Sequence, residues 1–170
     1  MILILIIPLL WVLFKTNNNY IRVAIIVLFT LWFGIPTFNK WRADKLVDEL
    51  CAKDGGIKVY ETVTLRKERF NQWGQFDVWD RPHMKPNDEY YSIWKTKDVV
   101  GSSGSSDILS LTVFQSSFWV YRLSNQKLLG ESVAYARRGG DAIGPWMPSS
   151  YSCSKTAQSD LINQIFLKLN

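Results

Sequence analysis

Two apolar runs open the chain, the first without a charge. Residues 2–14 (ILILIIPLLWVLF) and 21–38 (IRVAIIVLFTLWFGIPTF) flank the polar stretch KTNNNY. The second run matches the roughly 20 apolar residues that cross a bilayer as a helix. Arg22 near its start can reach the headgroups, and Tyr20, Trp32 and Trp41 suit the interface. The first run spans only about 20 Å as a helix, short of a hydrocarbon core roughly 30 Å thick. The pattern predicts a membrane anchor over residues 1–39, built as a helical hairpin. A single span with an interfacial first segment is the alternative. A cleaved leader fits poorly, because no basic residue precedes the first run and no small-x-small site follows it. A buried core helix fits poorly too, because two such runs would swamp so small a domain.

From residue 40 the pattern turns periodic and predicts an α+β domain over 40–170. Asn39 is a candidate cap for a helix from Lys40 to Lys53, with Leu46, Val47, Leu50 and Cys51 on one face and Gly55-Gly56 as its stop. Ile57–Leu65 alternates as a strand, with Glu61 at inward parity and expected at an edge or in a salt bridge. Arg66–Glu89 is a charged, aromatic excursion with a short strand expected at Gln75–Trp79. Tyr90–Val100 reads as a strand, and Gly101–Asp107 (GSSGSSD) as a flexible turn. Ile108–Phe114 and Phe118–Leu123 read as one bent strand with a bulge at residues 115–117. A turn at Ser124–Lys127 returns the chain along Leu128–Arg137, setting Trp119 and Tyr121 against Val133 and Tyr135. A loop containing Pro145 and Pro148 leads to a last helix over Lys155–Lys168, striped by Leu161, Ile162, Ile165, Phe166 and Leu169. This order predicts a four- to five-stranded antiparallel meander with both helices on one sheet face.

Charge narrows the function classes. Of the net +5, two charges (Lys15 and Arg22) sit in residues 1–39, which leaves +3 for the remainder. That is too little for a nucleic-acid binder, so no nucleic-acid partner is expected. Lys15 and Arg22 mark one side of the membrane, and Lys40, Arg42 and Lys45 the other. Three against two slightly favours a cytoplasmic domain by the positive-inside rule. The two cysteines, Cys51 and Cys153, pull the other way if they pair, because a structural disulfide persists in an oxidising compartment. The alternative is two buried thiols that never meet.

The segment ELCAKDGGIKVYETV, the hairpin strand GESVAYARRGGD and the late SSYSCS resemble a group of small, uncharacterised bacterial envelope proteins with an N-terminal hydrophobic anchor. The likeness covers residues 49 to about 166. It implies a Cys51–Cys153 disulfide and a periplasmic domain, and it brings no activity with it.

Candidate chemistry is sparse. The single histidine, His83, has Asp80 and Asp77 nearby, but no G-x-S-x-G accompanies them, so neither catalysis nor a metal site is expected. Arg137, Arg138 and Asp141, around Gly139-Gly140, could clamp an anion or a partner. The competing reading is a strand ending in a turn, with Arg137 or Arg138 paired to Asp141 or to an acid on a neighbouring strand. The Gly-Ser loop lacks the lysine of a phosphate-binding loop, so no nucleotide and no cofactor is expected. Trp73, Phe76, Trp79, Tyr90, Tyr91 and Trp94 suit either a protein-contact surface or a small core. The expectation is a non-enzymatic interaction module anchored in the bacterial inner membrane and facing the periplasm. Its partner would be another envelope protein or an incoming one, as in an immunity or exclusion role. A cytoplasm-facing accessory subunit and an envelope-polymer hydrolase are the alternatives.

Overall fold

The computed structural model describes residue 15 and residues 18–101, 111–141, 149–153 and 158–169. The helix expected over residues 2–14, most of the Gly-Ser turn, residues 108–110, Pro145, Pro148 and the expected start of the last helix lie outside the described residues.

The anchor and the first domain helix are one element, α1 (Asn19–Asp54, 36 residues). Asn18 is its N-cap, accepting from the Tyr20 N–H at 3.0 Å. Asn39, expected as a cap, is therefore an interior residue. Nothing between Phe38 and Lys40 breaks a helix, and Pro36 withdraws only one donor. The Thr37 hydroxyl, next to the proline, donates to the Phe33 carbonyl one turn back at 2.6 Å. The helix ends at Gly55, whose N–H donates to the Cys51 carbonyl at 3.1 Å.

At 1.5 Å per residue α1 is about 54 Å long, against a core of about 30 Å. Residues 19 to about 38 can therefore fill the bilayer while 39–54 project beyond it. The most apolar window is 0% buried. Among the described residues no other element covers this stretch, so a buried core helix does not fit it. Such an uncovered apolar rod fits a membrane anchor.

Seven strands follow: β1 (Gly56–Val59), β2 (Val63–Leu65), β3 (Tyr90–Val100), β4 (Thr112–Arg122), β5 (Leu128–Arg138), β6 (Ser150–Ser152) and β7 (Phe166–Lys168), with α2 (Gln158–Ile165) just before β7. Five of them form an antiparallel sheet in the order β1-β5-β4-β3, with β6 also on β5. β2 and β7 form a separate parallel pair.

Several expectations shift. The strand over 57–65 breaks at Tyr60-Glu61, where both amides donate to the Leu129 carbonyl and turn the chain out of the sheet. No strand forms over 75–79; an isolated parallel bridge joins Asp80 to Ser92 instead. The bulge lies at Val120/Tyr121, not at 115–117, and absorbs Leu129. Trp119 therefore faces Glu131, and Val133 and Tyr135 face Ser117 and Gln115. The last helix stops at Ile165 because Phe166–Lys168 finds a partner strand in β2.

The helices do not share a sheet face. Side chains alternate across a strand. On β4, Val113 belongs to a core with Ala43, Val47 and Tyr135 under α1. Phe118 and Val120, of opposite parity, join Leu129, Leu161, Ile165 and Phe166 under α2. Gly130 makes the second contact close. A Cβ there would meet Ile165 Cδ1 at 2.9 Å and the Lys58 carbonyl at 2.9 Å. The carbonyl is fixed by strand pairing, so Gly130→Ala should cost about 1–3 kcal/mol by overpacking. Thermal denaturation checks this, and an unchanged melting temperature would refute the close approach.

Candidate functional site

The sequence-predicted site residues gather where α1 meets the sheet. Four residues of α1, Lys40, Asp44, Asp48 and Cys51, lie within about 80° of arc at 3.6 residues per turn. Each makes one tie to β5, to β6 or to a residue that borders them. Lys40 Nζ donates to Asp141 Oδ1 at 2.6 Å. Asp44 accepts from Arg137 Nε. The Tyr151 hydroxyl donates to Asp48 Oδ1 at 2.8 Å. Cys51 is bonded to Cys153, with Cα atoms 6.2 Å apart and a separation of 102 positions in sequence.

Arg137 is the centre of this joint. It is 3% exposed, and its Nη1 donates to the Gly139 carbonyl at 2.6 Å and to Ser149 Oγ at 3.1 Å. Gly139 and Gly140 adopt φ of 78° and 79°, the left-handed region that favours glycine, which curls the carbonyl back toward the guanidinium. Asp141 Oδ2 accepts from the Ser149 N–H at 2.6 Å. Burial pushes the Asp141 pKa up, but the Lys40 ammonium and the Ser149 donors outweigh it and hold the carboxyl below its usual range.

Arg137 and Asp141 are thus engaged by partners within the chain, and Arg138 is exposed at the opposite parity of β5. The three do not converge on one opening. Adjacent strand residues point to opposite faces, a signal already present in the sequence. Sequence reasoning missed Lys40, Asp44, Asp48, Ser149 and Tyr151 as members of the joint, although 40, 44 and 48 share a helical face.

The remaining candidates are spread over the domain. His83 Nδ1 lies 2.6 Å from Asp80 Oδ1 in a short 3-10 turn, and both side chains are exposed. Asp77 accepts from the Asn71 amide instead, at 3.1 Å. Among the described residues, no three His, Cys, Asp or Glu side chains come together as metal ligands would. Glu61 is salt-bridged as expected: Lys127 at 2.7 Å, then Arg122, hold its carboxyl below the usual range. The aromatic residues divide between core and surface. Phe76 and Tyr90 pack with Phe166, and Tyr91 stacks on Tyr121 at 5.3 Å. Trp73, Trp79 and Trp94 are exposed.

Trp79 and Trp94 line one open cleft of about 680 Å3 with Pro82, Phe118 and Ile162. Trp94 is held over β4 by its Nε1, which donates to Ser116 Oγ at 2.7 Å. The cleft runs between the 78–82 segment, β3 and α2, on the sheet face away from α1.

Protein-family models, curated proteins and solved structures give no match to this chain.

The geometry describes a joint that fixes the domain to its anchor helix and, apart from it, an open surface at β3. Acid acts on the joint with a defined sign. Because the folded pKa of Asp141 is depressed, the stability it contributes is present above the usual aspartate range, near 3.9, and is lost as pH falls through the lower folded value. Asp141→Asn should therefore be less stable than the parent at pH 7, and the gap should close as the solution is acidified. Denaturant titrations at a series of pH values measure it, and a gap independent of pH would refute the pairing.

Proposed function

We propose that the chain is a membrane-anchored, non-enzymatic protein-interaction module whose domain faces the periplasm from a bacterial inner membrane. The observation that carries this is the Cys51–Cys153 bond at the foot of the long apolar helix α1. A bond closing so long a loop is structural, and structural disulfides belong to oxidising compartments. The helix supports the membrane, and the bond supports the side. The resemblance to small envelope proteins points the same way. The partner is another envelope protein or an incoming one, and an immunity or exclusion role is the form that this layout suits.

Thiol labelling of intact cells tests the proposal. A membrane-permeant maleimide added before lysis should leave Cys51 and Cys153 unmodified, and both should react after reduction. Two labelled thiols without reductant would return the domain to the cytoplasm as an accessory subunit.

A further inference from the structure

β3 is an open edge of the main sheet among the described residues. The far side of β5 is taken by β1 at residues 130–133 and by β6 at 136–138, so β3 is the long edge that is left. At its start the chain supplies its own partner. Asp80 bridges Ser92 in parallel, and the Ser92 N–H donates to the Trp79 carbonyl at 2.9 Å. The bridge goes no further, because Arg81–His83 turns away as a 3-10 helix containing Pro82.

That one hydrogen bond fixes the orientation of the rest of the edge. Backbone groups alternate sides along a strand, so the N–H and C=O of Trp94 and Thr96 face outward as those of Ser92 do. The side chains then divide by parity. Trp94 and Thr96 lie on the cleft face with Phe118. Lys95 and Lys97 lie on the other face, opposite the neutral Ser117 and Gln115 of β4. Neither lysine has a carboxylate partner among the described residues.

The lysines decide the occupant. Two-fold pairing of β3 with a second copy keeps side-chain faces matched. Centred on residue 95, 96 or 97, it sets lysine directly against lysine, which is destabilising. A strand with acidic residues on that side meets no such conflict.

We propose that β3 takes up an extended segment of a partner protein as an added edge strand. Acidic residues of the segment face Lys95 and Lys97, and a bulky apolar residue on its other side enters the cleft between Trp79 and Trp94. Main-chain hydrogen bonds from Trp94 and Thr96 hold the segment, and the side chains select it. This deepens the reading of the chain as an interaction module and rests on it.

The test uses the purified, oxidised full chain in detergent. The probes are two fluorescein-labelled eight-residue peptides, one alternating glutamate with valine and one alternating lysine with valine. Fluorescence anisotropy should show the glutamate peptide binding at least tenfold tighter, with the preference weakening as salt is raised. Lys95→Glu with Lys97→Glu should reverse the preference. Thr96→Pro deletes an outward N–H and no ladder bond to β4, so it should weaken binding tenfold or more while the circular dichroism holds. If Thr96→Pro does not fold, the lysine pair decides alone. Equal affinity for the two peptides, or undiminished binding by folded Thr96→Pro, overturns the proposal. A concentration-dependent dimer that Thr96→Pro abolishes would give the edge to a second copy and overturn it as well. Free thiols in cells would remove the periplasmic reading and leave this result standing, so the two failures are distinct.

Discussion

Cys153→Ser lowers the unfolding free energy of the domain by about 4–5 kcal/mol. The bond closes a loop of 102 residues in sequence. In the chain-entropy treatment a loop of that size restricts the unfolded ensemble by about 4.7 kcal/mol at 25 °C. The folded side of the balance changes little, since Cys153 already sits against Tyr135 in the core beneath α1. Urea titration of the intact chain in mild detergent, followed by tryptophan fluorescence, measures the loss. The denaturant slope should rise with it, because the unbridged unfolded chain exposes more surface. A loss below about 1 kcal/mol would mean that the α1 joint is closed by its polar ties without help from the bond.

Arg137→Ala costs about 3 kcal/mol, the low end of the range for removing one partner of a buried ion pair. The low end applies because Asp44 is partly exposed and water can replace part of what it loses. The Gly139 carbonyl and Ser149 lose their donor at the same time. Arg137→Lys should recover only part of the loss, since an ammonium cannot reproduce the fork that spans helix, turn and loop. Arg138→Ala, one residue further on and exposed, should stay within about 0.5 kcal/mol. The same denaturation assay separates the three variants. Equal effects at 137 and 138 would remove the joint from the account. The Arg137 and Cys153 losses should not add, because both act on one helix face.

The strands Tyr90–Val100 and Leu128–Arg138 were legible, the second to within one residue of its end, because each carries aromatic or β-branched residues and is bounded by turn residues. What the pattern hid was partnership. Asn39 has the chemistry of a cap, but a cap forms only where the helix has reason to begin, and α1 begins at Asn19, well before it. β4 carries apolar residues at both parities (Val113, Phe118, Trp119, Val120), so its sequence does not say which face each helix covers. Phe166–Lys168 fits a helical stripe equally well, and only the presence of β2 makes it a strand. The site was legible in part. The Cys51–Cys153 pairing came with the resemblance, and the pairing of the arginine region with acids was one of two open readings. Its actual partners, Asp44 for Arg137 and Lys40 for Asp141, lie some 90 to 100 residues away in sequence. Local spacing carries no trace of them beyond the shared helical face of 40, 44 and 48.

Because α1 runs as one helix through Pro36 from its apolar part to its domain-facing part, the molecule has the mechanics of a crank. The four ties at 40, 44, 48 and 51 clamp the sheet along one generator of the rod. A load applied to the domain is not absorbed at a linker, since no linker separates it from the apolar part of the helix. It passes along the shaft as tilt and as rotation about its axis. In a membrane, whatever grips the sheet therefore also sets which side of the apolar shaft meets its neighbours.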